Sequence, residues 1–129
     1  MLIFACTNVG EESIVCNNGC LLSKGEIEMA CYFIIDTYID EKTGRGMYDE
    51  YIREVKPIIE KFGGEYIVRS EKVTSLHPER TPQRVIVIRF PSRKMLDGCF
   101  ASEQYLEIRN KRMNSVDARA VIVEEGIKV

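Results

Sequence analysis

Apolar and polar positions change their period several times between residues 31 and 124, and each change marks an element. In "CYFIIDTYI" (31–39) β-branched and aromatic residues alternate as in a strand. Phe33, Ile35, Thr37 and Ile39 go to one side, and Tyr32, Ile34, Asp36 and Tyr38 to the other. The polar, glycine-containing "DEKTGRG" (40–46) is a connection. Met47, Tyr51, Val55, Ile58, Ile59 and Phe62 then recur at helical spacing, predicting an amphipathic helix bent at Pro57 and ended by Gly63-Gly64. "EYIVR" (65–69) reads as a second strand, "HPERTP" (77–82) as a loop and "QRVIVIRF" (83–90) as a third strand closed by Pro91. Ser92 is placed to cap a short helix to about Phe100. Ser102 opens a further helical segment, "SEQYLEIRNKRMNSV", and "ARAVIVE" (118–124) is the last strand.

The order β-α-β-β-α-β is the split arrangement called ferredoxin-like, an α+β fold with a four-stranded antiparallel sheet. Its helices cover one face of the sheet. Yet the third strand is apolar on both faces, with Ile86, Ile88 and Phe90 opposite Val85 and Val87. The last strand likewise sets Ile122 opposite Val121 and Val123. The second face therefore needs a cover, and a second copy of the same sheet is the simplest one. The expected partner is the chain itself, as a homodimer joined through its sheet faces.

Composition narrows this further. The chain has 129 residues, 45% of them hydrophobic and 29% charged, which suits one domain with its own core. A formal charge of −2, with both signs interspersed, gives no footprint for nucleic acid, and no apolar run is long enough to cross a membrane. The five cysteines are odd in number, and Cys16-x3-Cys20 has no histidine nearer than His77. No metal site is expected, and the thiols read as reduced, in a cytoplasmic protein.

Residues 1–28 stand apart. Glu11 and Glu12 follow "MLIFAC" too soon for a secretion signal. Lys24-Gly25-Glu26 is what a purine-rich ribosome-binding sequence would encode if translated, and it lies a few codons before Met29. The expectation is a disordered or mis-annotated extension over 1–28 and a single domain over 29–129.

Several stretches together carry a resemblance: "YDEYIREVKPIIEKFGGEYIVR" (48–69), "PQRVIVIRFPS" (82–92), "SEQY" (102–105), Arg112 and "VIVEEG" (121–126). On these the chain resembles the small bacterial family called domain of unknown function 1330, within the dimeric α/β-barrel superfamily, over about residues 29–127. It departs from that family at Ser70-Glu71, where glycines are usual. It also departs in "LHPERTPQR" and at Arg89, where an acidic residue often ends the strand. The resemblance implies a dimeric barrel with a pocket between sheet and helices. It also implies relatives among cofactor-free monooxygenases, muconolactone isomerase-like enzymes and haem-degrading proteins.

The candidate site residues come from the chain itself. Tyr105 and Arg112 are seven positions apart and so share a helix face, where a guanidinium needs an anionic acceptor. Arg69 and Arg84, at facing ends of the second and third strands, would grip a carboxylate together or pair with nearby glutamates. Tyr48 and Asp36 are further ligand-binding candidates, Asp36 also being a possible ion-pair partner for Arg112. His77, the one histidine, is the candidate general base, against the plainer reading of a solvated loop residue. Tyr32, Tyr48, Tyr51, Tyr66 and Tyr105 would supply hydroxyls to a dry cavity or simply edge the core. The absence of phosphate-loop, HExxH, GxSxG and Rossmann patterns leads to an expectation of no cofactor. The reading is a homodimer binding a small anionic or carbonyl-bearing molecule, as a cofactor-free monooxygenase or isomerase. The alternative is a non-catalytic ligand-binding or stress-related dimer. Haem degradation is a weaker third, given a single histidine.

Overall fold

The computed structural model describes residues 7–9, 13–15, 21–23, 29–42 and 44–126. Three short strands lie before Met29: β1 (Thr7–Val9), β2 (Ser13–Val15) and β3 (Leu21–Ser23). They pair antiparallel in that order.

The remaining elements are β4 (Cys31–Tyr38), α1 (Tyr48–Lys61), β5 (Glu65–Ser70), β6 (Arg84–Phe90), α2 (Arg93–Ala101), α3 (Glu103–Met113) and β7 (Asp117–Glu124). They form a four-stranded antiparallel sheet in the order β5-β6-β4-β7, the ferredoxin-like topology expected, with the second helical unit broken into two at Ser102. β4 is flanked by β6 and β7 over its length, with Cys31 opposite both Phe90 and Glu124. A bulge between Tyr66 and Val68 shifts the β5–β6 register.

The helices form where the sequence supports them locally. Asp49 and Glu50 in the first turn of α1 and Lys61 in its last complement the helix dipole. α1 runs on through Pro57, and its buried stripe is Tyr48, Tyr51, Ile52, Val55 and Ile59. It stops in a Schellman motif: Gly63, at φ 82°, donates to the Glu60 carbonyl at 3.0 Å and Gly64 to that of Ile59 at 2.9 Å. A Cβ on Gly64 would overlap Ile59 and press on Phe90, so this corner takes only glycine. Ser92 caps α2 by accepting from the Met95 N–H at 3.2 Å, and Ser102 caps α3 by accepting from Tyr105 N–H at 3.3 Å.

One core lies between the helices and the sheet face bearing Cys31, Ile86, Ile88 and Phe90, closed by Leu96 and Cys99 of α2. β6 alternates strictly, Arg84, Ile86, Ile88 and Phe90 being buried and Val85, Val87 and Arg89 partly exposed. The opposite face carries Tyr32, Ile34, Val85, Val87, Val121 and Val123, with Val121 58% exposed and Val123 46%. The 71–83 connection reaches this face through Arg80, which clamps Asp36 with two hydrogen bonds, at 2.6 and 2.9 Å. No described helix packs on it.

Candidate functional site

A cavity of about 220 Å³ lies between the helix-facing side of the sheet and helices α1 and α3. It exists because β7 places alanines where its neighbours carry bulk. Ala120 stands opposite Ile35, and Ala118 opposite Thr37. Phe33, Ile86, Ile88, Val55 and Phe100 supply apolar wall. The polar lining consists of tyrosine and threonine hydroxyls and one guanidinium, and no carboxylate or imidazole lines the cavity among the described residues.

Those polar groups form a short chain. The Arg112 guanidinium donates to the Tyr105 hydroxyl at 3.2 Å, and the Tyr105 and Tyr51 hydroxyls share a hydrogen bond of 3.1 Å. The seven-residue spacing on α3 puts both groups on the cavity side, and α1 brings Tyr51 to meet them. Arg112 also lies 5.8 Å from the centre of the Tyr51 ring, a cation–π contact. Burial works against its charge, but the adjoining phenols outweigh that and hold its pKa above the usual value. Burial pushes the Tyr51 phenol far above its ordinary range, and Tyr105 beside it adds to the shift, so Tyr51 stays a neutral hydroxyl. Arg112 forms no ion pair with any described carboxylate. Deeper along α1, the Tyr48 hydroxyl approaches the Thr37 hydroxyl at 3.5 Å.

Of the residues singled out in the sequence, Tyr48, Tyr105 and Arg112 meet at this cavity. Arg84 lies behind Tyr48, its guanidinium 5.8 Å from the ring centre. It is only 8% exposed, and its Nε is buried without a hydrogen-bond partner. Arg69 is on the same sheet face but opposite Ile86 rather than Arg84, and its exposed guanidinium sits over Tyr66 at 5.5 Å. The structure does not bring Asp36 to the cavity. Its side chain leaves the opposite face and is held by Arg80, so it cannot serve as the partner of Arg112. Nor does His77 reach it. His77 is exposed in the 71–83 connection, where its Nδ1 accepts from the Glu79 N–H at 3.1 Å. Thr37, Ala118 and Ala120 were not selected from the sequence, although small residues in a strand otherwise rich in Val and Ile were a readable sign of a hollow.

No group of three His, Cys, Asp or Glu side chains is placed to hold a metal ion among the described residues. Cys6, Cys16 and Cys20 lie outside the described residues. Cys31 and Cys99 are buried, and burial pushes the Cys31 thiol up to about 11 and that of Cys99 up to about 12, so neither is a nucleophile near neutral pH.

A family model described as a domain of unknown function, DUF1330, matches residues 30–126. The chain belongs to this family. No curated protein matches the sequence. Among solved structures, this DUF1330 chain is similar to a protein of unknown function from Rhodopseudomonas palustris, at 16% identity and a TM-score of 0.64, covering 81% of this chain and 88% of that one. A Bacteroides thetaiotaomicron protein described as a possible oxidoreductase matches at 12% identity and a TM-score of 0.54, over 77% of this chain and 100% of that one. SnoaB, a cofactor-independent oxygenase from Streptomyces nogalater, matches at 4% identity and a TM-score of 0.50, over 80% of this chain and 98% of that one. At such identities the likeness is one of fold, and what the DUF1330 cavity does must come from its own lining.

Proposed function

We propose that this DUF1330 domain binds a small anionic or carbonyl-bearing organic molecule in the cavity, with the acceptor oxygens on Arg112 and the Tyr51–Tyr105 hydroxyl pair. The observation that carries the reading is a half-buried guanidinium facing an apolar cavity with phenol oxygens as its company and no carboxylate in the described lining. A cation so placed gains most when an anion enters, because the surrounding apolar wall strengthens the attraction. The protein works as a homodimer, the Val- and Ile-bearing open sheet face of one copy meeting that of another, and it resides in the cytoplasm, where Cys31 and Cys99 stay reduced.

Binding is better supported than turnover. With no carboxylate or imidazole in the described lining, the cavity offers no group to take a proton at neutral pH. Cofactor-free oxygenation or isomerisation remains the second reading, favoured by the same donors, since they would stabilise an enolate oxygen as well as a carboxylate. It requires a substrate acidic enough to arrive already ionised.

Calorimetric titration with 2-naphthoate tests the binding reading. Saturable binding is expected, weakened about tenfold or more by Arg112→Gln, the loss of one charge-assisted contact. Equal affinity of Arg112→Gln and the unaltered protein would sink the assignment.

A further inference from the structure

The geometry points to a dianion as the ligand: an apolar skeleton with an acid group at each end, the inner one on Arg112 and the outer one on Arg109. This rests on the binding reading above and deepens it.

Beside the cavity, a groove lies between α2, α3 and β7. The two share Phe33, Phe100, Tyr105 and Arg112, so Arg112 stands at their junction. Leu96, Ile122 and Arg109 line the groove and not the cavity. Arg109 precedes Arg112 by three positions on α3, which places their side chains on one helix face with Cβ atoms roughly 5–6 Å apart. Neither forms an ion pair with a described carboxylate. Asp97, the one acidic residue along the groove among the described residues, is held by Arg93 at 2.9 Å.

Arg112 is half-buried and Arg109 is exposed, so an acid group held on Arg112 leaves Arg109 able to take a second one. The surface between them is aromatic. Phe100 packs on Phe33 with ring centres 4.5 Å apart and meets Tyr105 edge-on at 4.9 Å. Such a wall accepts a flat carbon skeleton, while the two arginines fix its ends. Ile122 belongs to the same sheet face as Phe33, its cross-strand neighbour, so the groove opens on the helix side and stays clear of the face assigned to a second copy.

The test compares two acids that share a skeleton, 2-naphthoate and 2,6-naphthalenedicarboxylate, by calorimetric titration of the full chain at one ionic strength. The dicarboxylate should bind about tenfold more tightly, the worth of one further charge-assisted contact. Arg109→Gln should abolish that advantage and leave 2-naphthoate unchanged, while Arg112→Gln should weaken both. A dicarboxylate that binds no tighter than 2-naphthoate overturns the dianion and leaves the binding reading standing. So does an Arg109→Gln protein that keeps the full advantage. If neither acid binds at millimolar concentration, both readings fall. The comparison on the unaltered protein decides the matter even if a variant folds poorly.

Discussion

Arg84 shows most plainly what a single side chain can cost. Its Nε has been sealed from water without gaining a protein acceptor in return. Arg84→Met keeps the apolar stem against Tyr48 and removes the charge, and it should raise the melting temperature by several degrees, about 1 kcal/mol for a domain of this size. A lower melting temperature would mean that its cation–π contact with Tyr48 outweighs the burial. The thiols make a second expectation at this scale. Cys31 and Cys99 have pKa values raised by burial from 9.0 to about 11 and about 12. The unfolded chain therefore releases these protons first as pH rises. Their contribution is fully present below about pH 9 and is lost between there and about pH 12. Urea midpoints should be level from pH 7 to 9 and fall above it, and Cys99→Ala should flatten the fall. Single residues also show how far sequence alone reaches. The seven-residue spacing of Tyr105 and Arg112 was enough to pair them. The alternation of β4 correctly put Asp36 opposite Thr37, but both faces of that sheet are apolar. Nothing local could say which face the helices would take, and so Asp36 was assigned to the wrong side. His77 drew attention by its chemistry alone, with no spacing to tie it to a wall of the cavity.

At the scale of elements, the caps decide where the site can be. Ser102 ends α2 and begins α3 in one residue, its hydroxyl donating to the Cys99 carbonyl at 2.7 Å and accepting from the Tyr105 N–H. Ser102→Ala removes both contacts and should cost about 1 kcal/mol, read as a lower urea midpoint. Because Tyr105 starts the helix that carries Arg112, the same variant should also weaken 2-naphthoate. Unchanged affinity would mean that packing, not the cap, orients α3. Element types and order were legible because each had its own punctuation: Gly63-Gly64, Pro91, Ser92 and Ser102. β1, β2 and β3 were not, since three residues are too few to show a period.

At the scale of the whole molecule the open sheet face sets the expectation. Val121 and Val123 are exposed on a face whose centre is Ile34, Val85 and Val87, and a lysine at position 121 would be harmless to an isolated chain. Val121→Lys should halve the mass seen by light scattering and leave the melting of the core little changed. A monomeric unaltered protein at micromolar concentration would remove the dimer from consideration. The cavity has a different relation to the fold. Its emptiness is owed to Ala118 and Ala120, which stand on an edge strand paired on one side only. A central strand cannot change a side chain without disturbing two neighbouring strands, whereas β7 has β4 as its one strand neighbour. The capacity of the site is therefore adjustable from the rim of the sheet. Exchanging alanine for valine or glycine there would retune the size of molecule accepted, with Arg112 and the architecture around it left in place.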